Sequence, residues 1–416
     1  MLGWLLALVL MLGLVAPVRA ATINHTFAEV NTNQTTTSAT YVDVSGLAIA
    51  SGSFTTGKKY LLVATAQVGN GTSGVDVGVQ LVHGSTAFGE SEAVIDTINS
   101  TARWPYQFFT VWTAVAAEGV KVQFKSNGTN TTNLNFGSLL AINLSDDVIE
   151  NTDWCFAERT TDDAVATSTT YTAGASCTIT PSGASDWLVM TYYQGSMSSA
   201  GEMESRMNRS GEAADTTVRY SHQPRVTTGV INQGVLARVF SLTNASNTFK
   251  EEATKFAGTH TRLHSNVLML NLSKFKASAF AYTDADVALS TTDFSVNAQT
   301  ISITPTSLGN VWIGGHWLFD HNSTATTGEM RVQVDNADQP AGQTAAIYPF
   351  QWDGTTTGNI PLILSTVASL SAAAHTIDLD VSGSSASSTA EGRSMWAVTM
   401  ELAASPLDQS QGAFLQ

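Results

Sequence analysis

Apolar and polar residues alternate in short runs along almost the whole chain, as at Val120, Val122 and Phe124 and at Ile377, Leu379 and Val381. A period of two sends alternate side chains to one face, so these runs predict strands with one buried side. Turn formers separate them: Asn127-Gly128, Asp353-Gly354, Gly183 and Gly383 tolerate positive φ. Beyond the first twenty residues no segment sustains a 3.6-residue apolar period for three turns, which predicts an all-β fold. Three runs break the alternation: Tyr60 to Ala66, Trp187 to Tyr193 and Val311 to Leu318 are apolar at nearly every position. Both faces of such a strand need cover, from a loop, a neighbouring module or another chain. Association of modules or subunits follows as an expectation, with a homo-oligomer as its form.

These runs belong to a repeat with a period of about 125 to 130 residues. CTITPSGASDWLVMTYYQ from Cys177 matches ISITPTSLGNVWIGGHWL from Ile301, and LAIASGSFTTGKKYLLVATAQ from Leu47 carries the same pattern with a short insertion. GEMESRM from Gly201 matches GEMRVQV from Gly328, with VGVQLVHG from Val77 in that place in the first copy. LLAINLS from Leu139, VLMLNLS from Val267 and AVTMELA from Ala397 close the copies. The chain therefore divides into modules 21–147, 148–275 and 276–405, with a C-terminal tail 406–416. About eight strands in each is the scale of a jelly roll or related two-sheet sandwich.

At the level of these signatures each module resembles the jelly-roll units of phage fibre and virion proteins and of bacterial surface adhesins. The residues that carry the resemblance are Thr180-Pro181 and Thr304-Pro305 before the central strand, the stretch NTFKEEATKFAGTHTRLHSNVLMLNL from Asn247, and HTIDLDVSG from His375. It implies a framework and a structural or adhesive setting, and it brings no catalytic residue with it.

Met1 to Val18 is an unbroken apolar run followed by Arg19 and Ala20, which resembles a secretory signal peptide spanning residues 1–20. A retained membrane anchor is the alternative reading of the same run. Removal of the leader would leave a chain without a membrane segment, secreted or at the cell surface, with the virion as the other location. Export predicts an oxidising destination, so Cys155 and Cys177 are expected to pair, against the alternative of two small buried hydrophobes. With 19 Lys and Arg against 34 Asp and Glu, the net charge of -15 repels phosphates and excludes nucleic-acid binding.

Candidate chemistry is sparse. There is no G-x-S-x-G elbow. Glu90 with Glu92, and Glu202 with Glu204, have the spacing that projects two carboxylates from one strand face, and solvated surface residues fit them better. His260 with His264, and His316 with Asp320, share faces but stand too far apart along a strand for one zinc. Asp162 and Asp163, Asp284 and Asp286, and Asp335 and Asp338 are weak loop candidates for calcium, and no other cofactor is expected. Trp104, Tyr106, Trp154 and Trp352 are the candidate platforms for surface glycans, while Trp187, Trp312 and Trp317 suit a core or interface. Eleven Asn-x-Ser/Thr sequons, among them Asn24, Asn70, Asn127, Asn130 and Asn322, are compatible with glycosylation. The leading reading is a non-enzymatic exported structural or adhesive protein. A virion fibre or decoration protein is the second, and a carbohydrate-active enzyme or binding module the third.

Overall fold

The computed structural model describes residues 22–403 apart from 71–74, 98–102, 127–129, 147, 167–169, 198–202, 211–218, 223–230, 256–257, 290–293, 295, 322–325, 340–349, 353–357 and 384–388. The expected leader and tail, Glu202, and the turns at Asn127-Gly128 and Asp353-Gly354 lie outside the described residues. No described helix is long and apolar enough to cross a membrane.

The protein is built of antiparallel two-sheet sandwiches, as the alternation predicts. The main strands of the first copy are His25–Val30, Val42–Ile49, Lys59–Asn70, Val75–His83, Ala93–Thr97, Arg103–Thr113, Val120–Ser126 and Thr132–Asn143. Numbered one to eight, they form one sheet in the order 1-8-3-6 and a second in the order 2-7-4-5. The second copy repeats this with Trp154–Arg159, Thr172–Ile179, Ser185–Met197, Met203–Arg209, Arg219–His222, Ile231–Leu242, Asn247–Lys255 and His260–Asn271. In the third copy the strands are Ser278–Thr283, Val296–Ile303, Gly309–His321, Thr326–Val334, Phe350–Trp352, Gly358–Leu370, His375–Gly383 and Thr389–Thr399. Sheet by sheet this is the jelly-roll connection, in which every consecutive pair of strands except four and five crosses between two four-stranded layers.

Local chemistry explains the turns. Asp335 and Asn336 both adopt positive φ between Val334 and Ala337, where a tight hairpin requires two left-handed residues. Asp335 also accepts hydrogen bonds from the Thr376 backbone N–H at 2.9 Å and from His375 Nδ1 at 2.7 Å, which ties the hairpin to strand seven. In the second copy Cys155 and Cys177 form a disulfide, with Cα atoms 6.1 Å apart. It joins strand one of one layer to strand two of the other and staples the sandwich through its core.

The doubly apolar runs are the third strands, and they answer where their second cover comes from. Trp187, Val189 and Tyr193 point into the second copy's own core. Leu188, Met190 and Tyr192, on the opposite face, enter a cluster shared with the first copy. In the third copy Val311 and Ile313 face inward, whereas Trp312 joins the shared cluster and meets Trp396 edge-on at 5.8 Å. The cover is thus the neighbouring module of the same chain, so these strands do not call for a second chain.

Candidate functional site: the shared interface of the three modules

In each copy, strand six is the last of its own 1-8-3-6 strands, and a bare edge is a site for unwanted pairing. Here each edge is covered by the next module in a cycle. Asn266, on strand eight of the second copy, donates through Nδ2 to the Phe109 carbonyl on strand six of the first at 2.8 Å. Ser394, on strand eight of the third copy, donates to the Ala237 carbonyl on strand six of the second. The two carbonyls are equivalent: Phe109 lies opposite Val63 and Ala237 opposite Met190, the fourth residues of their respective apolar runs. The cycle closes between the first and third copies, where Glu29 accepts from Thr366 Oγ1 at 2.6 Å and from the Val367 N–H at 3.3 Å.

The three sixth strands also meet one another. Gln107 on the first donates through Nε2 to the Pro361 carbonyl on the third at 2.8 Å. Its backbone faces the Gln233 carboxamide on the second, 3.2 Å from the carbonyl and 3.0 Å from the N–H. Around these polar contacts the packing is aromatic and aliphatic. Phe108 and Tyr192 meet edge-on at 5.2 Å, and the Arg238 guanidinium lies 3.6 Å from the Tyr282 ring centroid. The first and second copies are further joined at Val94 and Ile231, which merge two sheets into one of ten strands.

This interface accounts for the candidate aromatic residues. Tyr106 is fully buried, and Trp154 is buried with its indole N–H donating to the Leu144 carbonyl at 3.0 Å. Neither presents a face to a sugar ring, because each side chain fills space between packed layers. Trp104 is half-buried against the cores of the first and third copies. The backbone of Trp352 pairs with Thr326, and its side chain lies outside the described residues. The expectation of an exposed aromatic platform is therefore corrected for Tyr106 and Trp154. Trp187 and Trp317 are core residues of the second and third copies, and Trp312 is the interface residue.

The acidic candidates are dispersed. Asp284 and Asp286 are exposed, Asp335 is engaged with His375 and Thr376, and Asp338 accepts from Gln333 Nε2 at 2.7 Å. Asp163 lies in a buried network: Arg262 donates to it at 2.7 and 3.0 Å and to Glu251 at 2.7 Å, with further bonds to the Thr172 and Ala173 carbonyls. Burial pushes the Glu251 carboxyl up to about 7, with the Asp163 charge adding to the rise and the Arg262 guanidinium opposing it. His316 is fully buried, and desolvation pulls it down to about 3. Three sequon asparagines, Asn70, Asn143 and Asn271, are buried, so glycans are excluded from them. Asn24, Asn33 and Asn244 are exposed.

Glu90 and Glu92 do not act as a pair. Glu92 accepts from Tyr41 Oη at 2.7 Å, whereas Glu90 faces the second copy and converges with Glu158 and His264. Burial raises the Glu90 and Glu158 carboxyls, the latter helped by the Glu90 charge, and burial pulls His264 down to about 4. The sequence holds no linear signal for this trio, since its members come from two modules.

No known protein family matches the chain, and no curated protein matches its sequence. Among solved structures, one described as the triple jelly-roll fold and turret assembly of an archaeal virus is 9% identical. It covers 92% of this chain and 97% of its own, with a TM-score of 0.19. The T13 viral particle of IBDV is 8% identical over 94% of this chain and 83% of its own, with a TM-score of 0.24. Eiger TNF from S. frugiperda is 11% identical over 29% of this chain and 93% of its own, with a TM-score of 0.21. At these TM-scores the likenesses carry no argument, and the jelly-roll assignment rests on the strand order.

Proposed function

We propose that the protein is a non-enzymatic structural unit of an outer protein assembly, a rigid block made by closing three jelly rolls into a ring within one chain. The observation that supports this reading is the cyclic capping of strand six. The polar groups conserved in position along the repeat, Asn266 and Ser394, hold modules together and are not turned toward a cleft. Likewise the buried ionic network around Arg262 is satisfied internally, as a framework would have it. A virion coat or fibre is the setting we favour, with a cell-surface adhesive layer as its competitor. The Cys155–Cys177 disulfide fits either location outside the reducing cytoplasm.

Immunogold labelling of the native source tests the proposal. Regular labelling of particles is the expected result. Labelling of the cell envelope with bare particles would replace the virion setting by the surface one. Cleavage of a polysaccharide by the purified chain, abolished by a point substitution that leaves the fold intact, would overturn the non-enzymatic reading altogether.

A further inference from the structure

The boundary between the first and second modules contains three groups that fit a metal. Glu90 sits on the short turn Gly89–Ser91, which Ser91 pins by donating to the Phe88 and Leu81 carbonyls at 2.7 and 3.1 Å. The second module clamps the same segment from above: Tyr192 Oη donates to the Glu90 carbonyl at 2.6 Å, and Gln194 Nε2 donates to the Glu92 carbonyl at 2.7 Å. Opposite it, Glu158 and His264 project from adjacent strands, Glu158 standing beside Asn266 in register. One ligand atom from each of Glu90, Glu158 and His264 lies within 4.8 Å of the other two.

The hydrogen bonds also settle the histidine's tautomer. Asn266 uses its NH2 group on the Phe109 carbonyl, so the oxygen of that carboxamide is the atom 2.7 Å from His264 Nε2. An oxygen there accepts, so Nε2 carries a proton in the metal-free protein, and this same Nε2 is the ring nitrogen 3.7 Å from Glu158 Oε1, so a metal bound between them would take that proton's place. Among the described residues neither Glu90 nor Glu158 has a Lys or Arg partner at ion-pair distance, so two carboxylates share this boundary without a basic counter-charge.

The geometry assigns to Glu90, Glu158 and His264 a divalent transition-metal site, zinc by its mixed nitrogen and oxygen donors, that latches the first module to the second. Imidazole with carboxylates suits zinc better than calcium, which takes six or more oxygens. Zinc bonds of about 2.0–2.1 Å require the three donors to draw closer. Glu158 supplies that movement, since its side chain is 33% exposed and free to rotate toward the other two. Water would complete the tetrahedron, and no chemistry is required of it.

The test uses the full chain, dialysed against chelator and titrated with Zn2+ by calorimetry, with thermal unfolding read in parallel. One Zn2+ per chain and a rise in Tm are expected. Glu158→Gln and Glu90→Gln should each weaken binding at least tenfold while leaving the metal-free Tm within a few degrees of the parent. Asn266→Ala, which removes the carboxamide oxygen competing for Nε2, should not weaken it. If the parent binds no Zn2+ below about 100 μM, or if both Gln variants bind it as the parent does, the assignment is wrong. A Tm rise with Ca2+ and none with Zn2+ would equally overturn it. Glu158 lies on the surface, so Glu158→Gln gives a folded protein even if Glu90→Gln does not.

Discussion

Arg262 shows how much of the second module depends on one side chain. It is wholly buried, serves two carboxylates and two carbonyls, and sits in a sequence stretch whose alternation alone marks it as facing inward or outward with equal ease. Removing it leaves Glu251 buried without that counter-charge, while Asp163 keeps the Arg159 guanidinium at 3.2 Å. Arg262→Met is therefore expected to cost about 3–5 kcal/mol, read by denaturant unfolding at constant m-value. Glu251 gives a pH signature as well. Its carboxyl is raised to about 7 in the folded protein against an ordinary 4.5, so the folded state holds a proton that the unfolded chain has released. The resulting stability is full below about pH 4.5 and is lost as pH rises through about 7, at most about 3 kcal/mol. Glu251→Gln should remove that decline between pH 5 and 8, and an unchanged slope would show that the group stays ionised throughout. None of this was visible in the sequence, because a buried ion network is defined by partners 11 and 99 positions apart.

Among the elements, the third strands were the most legible and also the most informative. Their continuous apolar character predicted two covered faces, and the structure supplies the second cover from a sister module. Periodicity reports that a face is buried and is silent about which chain segment buries it, so the expectation of a second chain arose from the same signal. The small residues within these strands were the unread part. A Cβ at Gly314 would run into the Trp396 ring, which occupies the space that the bare glycine leaves. Gly314→Ala should therefore cost about 1–3 kcal/mol by overpacking, whereas Gly52→Ala, with nothing within 4 Å, should change stability by less than about 0.5 kcal/mol. Thermal unfolding of the two variants side by side gives the comparison. The aromatic candidates failed for a related reason: Tyr106 and Trp154 fill gaps between layers, and a strand pattern does not distinguish a layer's outer face from an interface.

For the molecule as a whole, the repeat in the sequence foretold three like modules, and the order in which they cover one another came only with the structure. Since the first copy's core is continuous with the outer faces of the other two, the modules should not unfold independently. Calorimetry on the oxidised protein is expected to show one cooperative transition, and three resolved transitions would contradict the shared core. A single module expressed alone would expose the face now covered and should self-associate or precipitate.

The two ends of the described chain lie side by side. The Ile23 N–H donates to the Met400 carbonyl at 3.0 Å, and Thr22 bridges to Glu401. In effect the polypeptide is a necklace whose clasp falls at this point. Joining residues 22 and 403 through a short Gly-Ser linker and opening the chain near Ile149, an exposed residue between the first two modules, should give a circular permutant with the same secondary structure and melting behaviour. Circular dichroism and a melting curve decide it. Success would mean that the order of the beads on the string is immaterial and that closure of the necklace is what the sequence encodes.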